Sequence, residues 1–232
     1  MKLSEENINF INELSIDDIP WNHLNGAYNI VCDMPIYLRE LLSLNDRAAK
    51  DAALNIHAEI EHQSTLYQST PNTLIFLFRI LEDLTKLQKL TKHQDILVYR
   101  ISVMLISIVF ALSYWDDEVT EEFYFKTYKE FIEKSKENVV DDSEGFNYIW
   151  DETEIQFASA YAFSYQIIDH NLHLIEHFRD YELSKPKAEL ADYSNAMYKS
   201  NSNQNIASNV EDILKNMKEI SDVIDKAFIE VE

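Results

Sequence analysis

Glycine and proline are scarce in this chain, and their scarcity constrains the fold more than any other feature. The 232 residues include 2 glycines and 4 prolines, whereas average usage is about 7% and 5%. Tight β-hairpins and glycine-rich phosphate loops depend on residues that readily adopt positive φ. The sequence therefore predicts an all-α fold with little room for hairpins. Because 46% of the residues are hydrophobic, we expect a full core and a single domain over residues 1–232.

The charge of the chain excludes one class of partner. There are 41 acidic and 20 basic residues, which gives a formal net charge of −21, and the acidic residues are spread along the whole chain. Such a charge repels nucleic acid. It also argues against DNA glycosylases, which need a basic groove and a place for an extruded base.

Three features bear on location. Cys32 is the single cysteine, so an internal disulfide is excluded, and no basic segment followed by an apolar one opens the sequence. The most apolar stretch, residues 96–112, contains Arg100 and lies between charged segments. We expect this stretch to be a buried central helix rather than a membrane span, and we expect a cytoplasmic protein.

Helix start signals divide the chain. Asp33 before Pro35, Asn45 or Asp46, and Thr70 before Pro71 are typical of helix N-termini. Together with the apolar periodicity they predict helices over residues 34–44, 45–62, 72–86, 95–112, 120–136, 151–181 with a break near 169, 185–198 and 206–229.

A resemblance emerges from residues 38–71. The segment LRELLSLNDRAAKDAALNIHAEI has an apolar helix, an Asn-Asp turn and paired alanines, and HQSTLYQSTP follows it. In this part the chain resembles bacterial HEAT-repeat proteins, which often have His-Gln-Gly, a tyrosine and Ala-Thr before a Pro-Phe-Leu helix. Ser64 and Ser69 replace the usual glycine and alanine, and the later proline before Phe76 is lacking. The resemblance covers residues 20–112 and implies a right-handed solenoid of antiparallel helix pairs; for residues 113–232 the pattern alone extends it.

The polar stretch 61–70 has two interpretations. As a corner between helix pairs, His62 and Gln63 end one helix, Tyr67 folds back between the pairs and Thr70 caps the next helix. As a catalytic loop, Ser64 or Thr65 would need an orienting acid and oxyanion donors that the sequence does not indicate. We favour the structural corner.

We interpret the other candidate site residues, which are histidines, Glu61 and Cys32, as structural too. His170, His173 and His177 share one helical face and could hold zinc, but apolar residues occupy the opposite arc, so we expect a solvated stripe and no metal. His57 and Glu61 lie one turn apart, which predicts a solvated ion pair or hydrogen bond. Asp33 beside Cys32 disfavours a thiolate nucleophile. We expect no cofactor.

A loose duplication is the most informative feature for function. Tryptophan followed by acids occurs twice, 35 residues apart: Trp115, Asp116, Asp117 and Glu118, then Trp150, Asp151, Glu152 and Glu154. Acids favour helix N-termini, so the motif can be purely structural. Tryptophan anchors ringed by carboxylates also suit a basic protein partner.

Three function classes follow. The resemblance implies that an acidic HEAT-type protein of this size is a bacterial immunity protein, which binds and neutralises a basic toxin. A general scaffold or regulatory module is the alternative. The third class, a DNA-repair enzyme, conflicts with the charge. We predict a non-enzymatic protein that binds no nucleic acid and no membrane; the oligomeric state stays open.

Overall fold

The computed structural model describes residues 1–114, 124–138, 153–189, 192–197 and 205–229, with side chains up to residue 224. In these ranges the chain is mostly helical, which confirms the all-α class. The helices are α1 Glu5–Glu13, α2 Met34–Glu40, α3 Asp46–Ile60, α4 Ser69–Thr85, α5 Lys92–Leu112, α6 Tyr128–Ser135, α7 Glu154–His170, α8 Leu172–Ser184 and α9 Ile206–Ile229. Three short 3-10 turns add Ile16–Asp18, Trp21–His23 and Lys187–Glu189, and one small hairpin joins strands β1 Glu61–His62 and β2 Thr65–Leu66.

Side chains at the helix starts fix several boundaries. Asn45 caps α3 as expected, since its side chain accepts hydrogen bonds from Arg47 N and Ala48 N. Thr91 and Gln94 form a capping box at the start of α5, in which each side chain accepts the other's backbone amide. These bonds satisfy amides that have no partner within the helix. The capping box places the start of α5 three residues before the predicted residue 95.

Helix α5 lies at the centre of the protein. By length and composition it could cross a membrane, since its most apolar window has a mean hydropathy of 2.1, yet 72% of that window is buried inside the protein. Arg100 is fully buried in this helix, where its Nη2 donates to Asp46 Oδ1 at 2.8 Å and its Nε to Ala196 O at 3.0 Å. The helix therefore packs as a buried central helix, as predicted, and the structure adds that its buried cation is paired.

The helices pack across large sequence separations. Helix α5 contacts α3 and α9, helix α4 contacts α7 and α8, and α1 contacts α6. In a solenoid each repeat contacts only its neighbours along the chain. The stacked helix-pair arrangement is therefore not confirmed, although the helical class is.

Three predicted features differ from the structure. Residues 185–198 were expected to be helical, but their described part contains only the 3-10 turn Lys187–Glu189. Asp33 precedes α2, and Pro35 lies in its first turn, but the Asp33 side chain accepts no capping bond. The long helix expected over 151–181 is two helices, and the break predicted near Asp169 occurs at Asn171.

Candidate partner-binding surface

Residues 61–66 form a tight β-hairpin between α3 and α4. Glu61 pairs with Leu66 and His62 with Thr65, and the turn between them consists of Gln63 and Ser64. Both turn residues have positive φ, 54° and 62°, as in the two-residue turns whose twist matches that of the strands. The few glycines were expected to leave little room for hairpins, and this hairpin forms because two non-glycine residues adopt the conformation. A hydrogen bond from Ser64 N to Glu61 Oε1, 2.9 Å long, holds the turn.

Thr70 lies inside the first turn of α4, and the prediction that it caps this helix was wrong. The helix begins at Ser69, and the residue before it makes no side-chain capping bond. The buried Thr70 hydroxyl instead donates to Ile60 O at 2.5 Å and accepts from Tyr67 N at 2.9 Å. It therefore joins the end of α3 to the start of α4, which gives the stretch the structural role expected of a corner.

His57 lies beneath the hairpin. It was expected to be solvated, but it is buried. Its Nε2 lies 2.9 Å from Ser107 Oγ and 3.7 Å from Glu61 Oε2. Burial lowers the pKa of His57 to about 4, so the imidazole is neutral near pH 7. Burial also raises the pKa of Glu61, against the opposing hydrogen bond from Ser64 N. The imidazole is therefore uncharged where it meets Ser107 and Glu61, so the contact with Glu61 is not an ion pair; the cluster joins α3, α5 and the hairpin.

The hydroxyl-rich stretch does not assemble a nucleophile and its base. His62 directs Nδ1 at the Tyr28 hydroxyl, 3.1 Å away. At the buried cluster, Glu61 approaches the same His57 nitrogen that Ser107 engages. In a catalytic triad the acid instead holds the opposite ring nitrogen and orients the base. The geometry of both histidines favours a structural role.

The tryptophan-acid segments fall mostly outside the described residues. This applies to Trp115, Asp116, Asp117, Glu118, Trp150, Asp151 and Glu152. Glu154 is described: it is exposed in the first turn of α7, where Thr153 and Gln156 form a capping box. Tyr114, directly before the first segment, is 64% exposed and packs edge-on against Phe110, with ring centroids 5.0 Å apart.

The histidine stripe is exposed along α8 and the end of α7, as expected. His170, His173 and His177 face solvent, while Leu174 and Phe178 are buried. His170 and His173 also line a cleft of about 250 Å³ between α1, α4, α7 and α8. In the described part of the chain, no group of three or more histidine, cysteine or acidic side chains is placed to hold a metal ion.

Cys32 is exposed immediately before Asp33 and α2. It has no disulfide partner.

Sequence reasoning missed a buried ionic cluster at the end of α8. Lys185 Nζ lies 2.7 Å from Asp95 Oδ1 and 2.9 Å from Glu182 Oε2, and all three side chains are buried. The Tyr193 hydroxyl donates to Glu182 Oε1 at 3.2 Å, and its ring stacks on Tyr99 with centroids 4.4 Å apart. Burial raises the pKa of Asp95, although Lys185 opposes this effect. The cluster joins the segment after α8 to α5; the i,i+3 spacing of Glu182 and Lys185 is local, but nothing in the local sequence signals that Asp95 lies beside them.

No protein-family model, curated protein or solved structure matches the chain. The resemblance to HEAT-repeat proteins therefore stays a prediction.

Proposed function

We propose that this protein is a non-enzymatic binding protein that captures a basic protein partner, and that it acts as a bacterial immunity protein against a basic toxin. The observation that carries the proposal is the excess of carboxylates, 41 acidic against 20 basic residues. A charge of this size speeds the encounter with a basic partner and repels nucleic acid.

The mechanism of neutralisation is occlusion. A toxin that cleaves nucleic acid needs a positive cleft to hold the phosphate backbone. An acidic protein that binds this cleft or its flank excludes the substrate by charge and by volume. Stoichiometric binding is sufficient, and the protein needs no reactive group or cofactor.

The geometry of the described residues supports a binding role over a catalytic one. His57 is buried with a pKa of about 4, far from the range near 7 that suits a general base. Tyr114, which is exposed, directly precedes the first tryptophan-acid segment, and the exposed Glu154 belongs to the second. Aromatic side chains with carboxylates at the rim are typical of a surface that anchors and steers a partner.

The proposal does not depend on the helix pairs forming a HEAT solenoid. A solenoid would display the two tryptophan-acid segments one repeat apart on one edge.

The test uses the full-length chain and the protein encoded by the adjacent gene, measured at two ionic strengths. One variant reverses Asp116, Asp117 and Glu118 to lysine. A matched variant reverses Glu211, Asp212 and Glu219, which are exposed on α9. Both change the net charge equally, so a difference between them reports local charge placement.

We expect wild-type protein to bind with an association rate that falls as salt rises. The first variant should associate more slowly and depend less on salt than the α9 variant, because rim charges act mainly on encounter. Absence of wild-type binding to the adjacent gene product, or binding insensitive to salt, would contradict the proposal. Thermal melting of each variant confirms that it is folded.

A further inference from the structure

The hairpin Glu61–Leu66 offers a preformed contact point. Gln63 is exposed at its tip, and the turn is held by backbone pairing and by the hydrogen bond from Ser64 N to Glu61 Oε1. A segment fixed in this way loses little conformational freedom when a partner binds. An exposed rigid turn is therefore suited to an interface.

An exposed aromatic side chain contacts the first strand. The Tyr28 hydroxyl lies 3.1 Å from His62 Nδ1, and the two ring centroids are 4.9 Å apart. Tyr28 remains 51% exposed. Tyrosine offers both an apolar face and a hydrogen-bonding group, which explains its enrichment at interfaces.

Helix α7 brings a second exposed aromatic to the other strand. Leu66 N donates to the Tyr161 hydroxyl at 3.1 Å, and the Tyr161 ring lies 5.0 Å from that of Phe157. Phe157 is 42% exposed. Its ring is therefore held one contact away from the hairpin backbone.

Helix α5 brings a third aromatic group. Ser107 is bound to His57, which lies 3.7 Å from Glu61 at the base of the hairpin. Phe110 follows Ser107 by three residues and so lies on the same face of α5. It is 48% exposed and packs against Tyr114.

We propose that these residues form one surface, termed the hairpin surface, that contacts the basic partner; it comprises Tyr28, His62, Gln63, Phe110, Tyr114 and Phe157. The inference deepens the proposed function and rests on it. Exposed aromatics supply anchors, and a partner of positive charge is favoured by the chain's charge of −21. The carboxylate of Glu61 at the base of the hairpin and that of Glu154, one turn before Phe157 on α7, add local charge of the complementary sign.

The decisive comparison adds one positive charge at two places. Gln63→Arg places it at the hairpin tip, and Leu44→Arg places it at a residue that is 90% exposed in the loop before α3. Both variants change the net charge by the same amount, so long-range steering changes equally. Binding of the adjacent gene product by each full-length variant is measured at one ionic strength. We expect Gln63→Arg to weaken affinity by about tenfold or more and Leu44→Arg by about twofold or less.

A second comparison tests the anchors. Tyr114→Ala and Phe157→Ala should each speed dissociation by about tenfold. Leu183 lies on α8 and is 64% exposed, as Tyr114 is. Leu183→Ala should leave the dissociation rate within about twofold of wild type. Thermal melting identifies any variant that is not folded, and the remaining variants carry the result.

The outcomes separate this surface from the proposed function. If wild-type protein binds in a salt-dependent way but Gln63→Arg matches Leu44→Arg and the alanine variants match Leu183→Ala, the hairpin surface is overturned while the proposed function stands. If wild-type protein does not bind at all, the proposed function is overturned and the hairpin surface falls with it.

Discussion

The Nε2 atom of His57 lies 2.9 Å from the Oγ atom of Ser107, which joins α3 to α5 across 50 residues of sequence. Burial lowers the pKa of this imidazole to about 4. A histidine in an unfolded chain gains a proton as the pH falls through about 6.5. The buried ring stays neutral at that pH.

This difference predicts a dependence of stability on pH. Between pH 6.5 and 4 the unfolded chain binds a proton at His57 that the folded protein does not bind. The stabilisation is complete above pH 6.5 and is lost as the pH falls toward 4, by up to about 3 kcal/mol. Urea unfolding of wild-type protein and His57→Gln across this range measures it.

The comparison with His57→Gln isolates the histidine from other groups. Burial raises the pKa of Glu59 and of Asp95. These carboxyls act with the opposite sign, because the stability that they contribute to the folded protein is lost as the pH rises. They are present in both proteins and cancel in the difference. Equal pH slopes for the two proteins would show that His57 takes up its proton in the folded state as readily as in the unfolded one.

The backbone conformation of Ser64 leads us to predict a stabilising substitution. Its φ of 62° costs a non-glycine residue about 1–2 kcal/mol, whereas glycine adopts this conformation freely at a smaller entropic cost. We expect Ser64→Gly to raise the free energy of unfolding by about 0.5–1 kcal/mol. Thr65→Gly is the matched control, since Thr65 lies in the adjacent strand without positive φ, and it should destabilise. A loss of stability in both variants would contradict the strain assigned to the turn.

The buried hydroxyl of Thr70 leads us to predict a destabilising substitution. Thr70→Val keeps the shape but removes the hydroxyl that bonds to Ile60 O and Tyr67 N. Buried groups left without partners cost about 1–3 kcal/mol in unfolding free energy. Thr85→Val, which removes a hydroxyl bonded to Glu82 O at the surface, should cost well under about 1 kcal/mol. A similar small effect at both threonines would show that the corner tolerates the loss.

The sequence predicted those elements whose signals are local. Helix α9 agrees with the range predicted from apolar periodicity, and Asn45 caps α3 through its own neighbouring amides. The break between α7 and α8 lies two residues from its predicted place. Periodicity and caps act within a few residues, so they can be read along the chain.

Features set by long-range packing were missed. The positive φ of Gln63 and Ser64 is not signalled by residue type; the hairpin forms where Leu66 N meets the Tyr161 hydroxyl, 95 residues away. The burial of His57 likewise depends on α5. The exposed aromatics of the hairpin surface were unforeseen for the same reason, since periodicity assigns such side chains to a core. Of the predicted recognition residues, the structure describes Glu154 alone.

Lys185 carries the last prediction, because its ammonium lies between two buried carboxylates, Asp95 at 2.7 Å and Glu182 at 2.9 Å. Lys185→Met keeps most of the side-chain volume but leaves both carboxylates without their cation, which should cost about 3–5 kcal/mol in unfolding free energy. Lys89→Met is the control: Lys89 pairs with Glu189 at the same 2.9 Å but in exposed positions, where a pair contributes about 1 kcal/mol or less. Adding Asp95→Asn and Glu182→Gln to Lys185→Met should recover much of the loss, because neutral amides no longer need a cation. Chemical denaturation of the four proteins at pH 7 measures these differences. If Lys185→Met loses no more unfolding free energy than Lys89→Met, water solvates the cluster. The segment after α8 would then be held by the Tyr193 and Tyr99 rings instead.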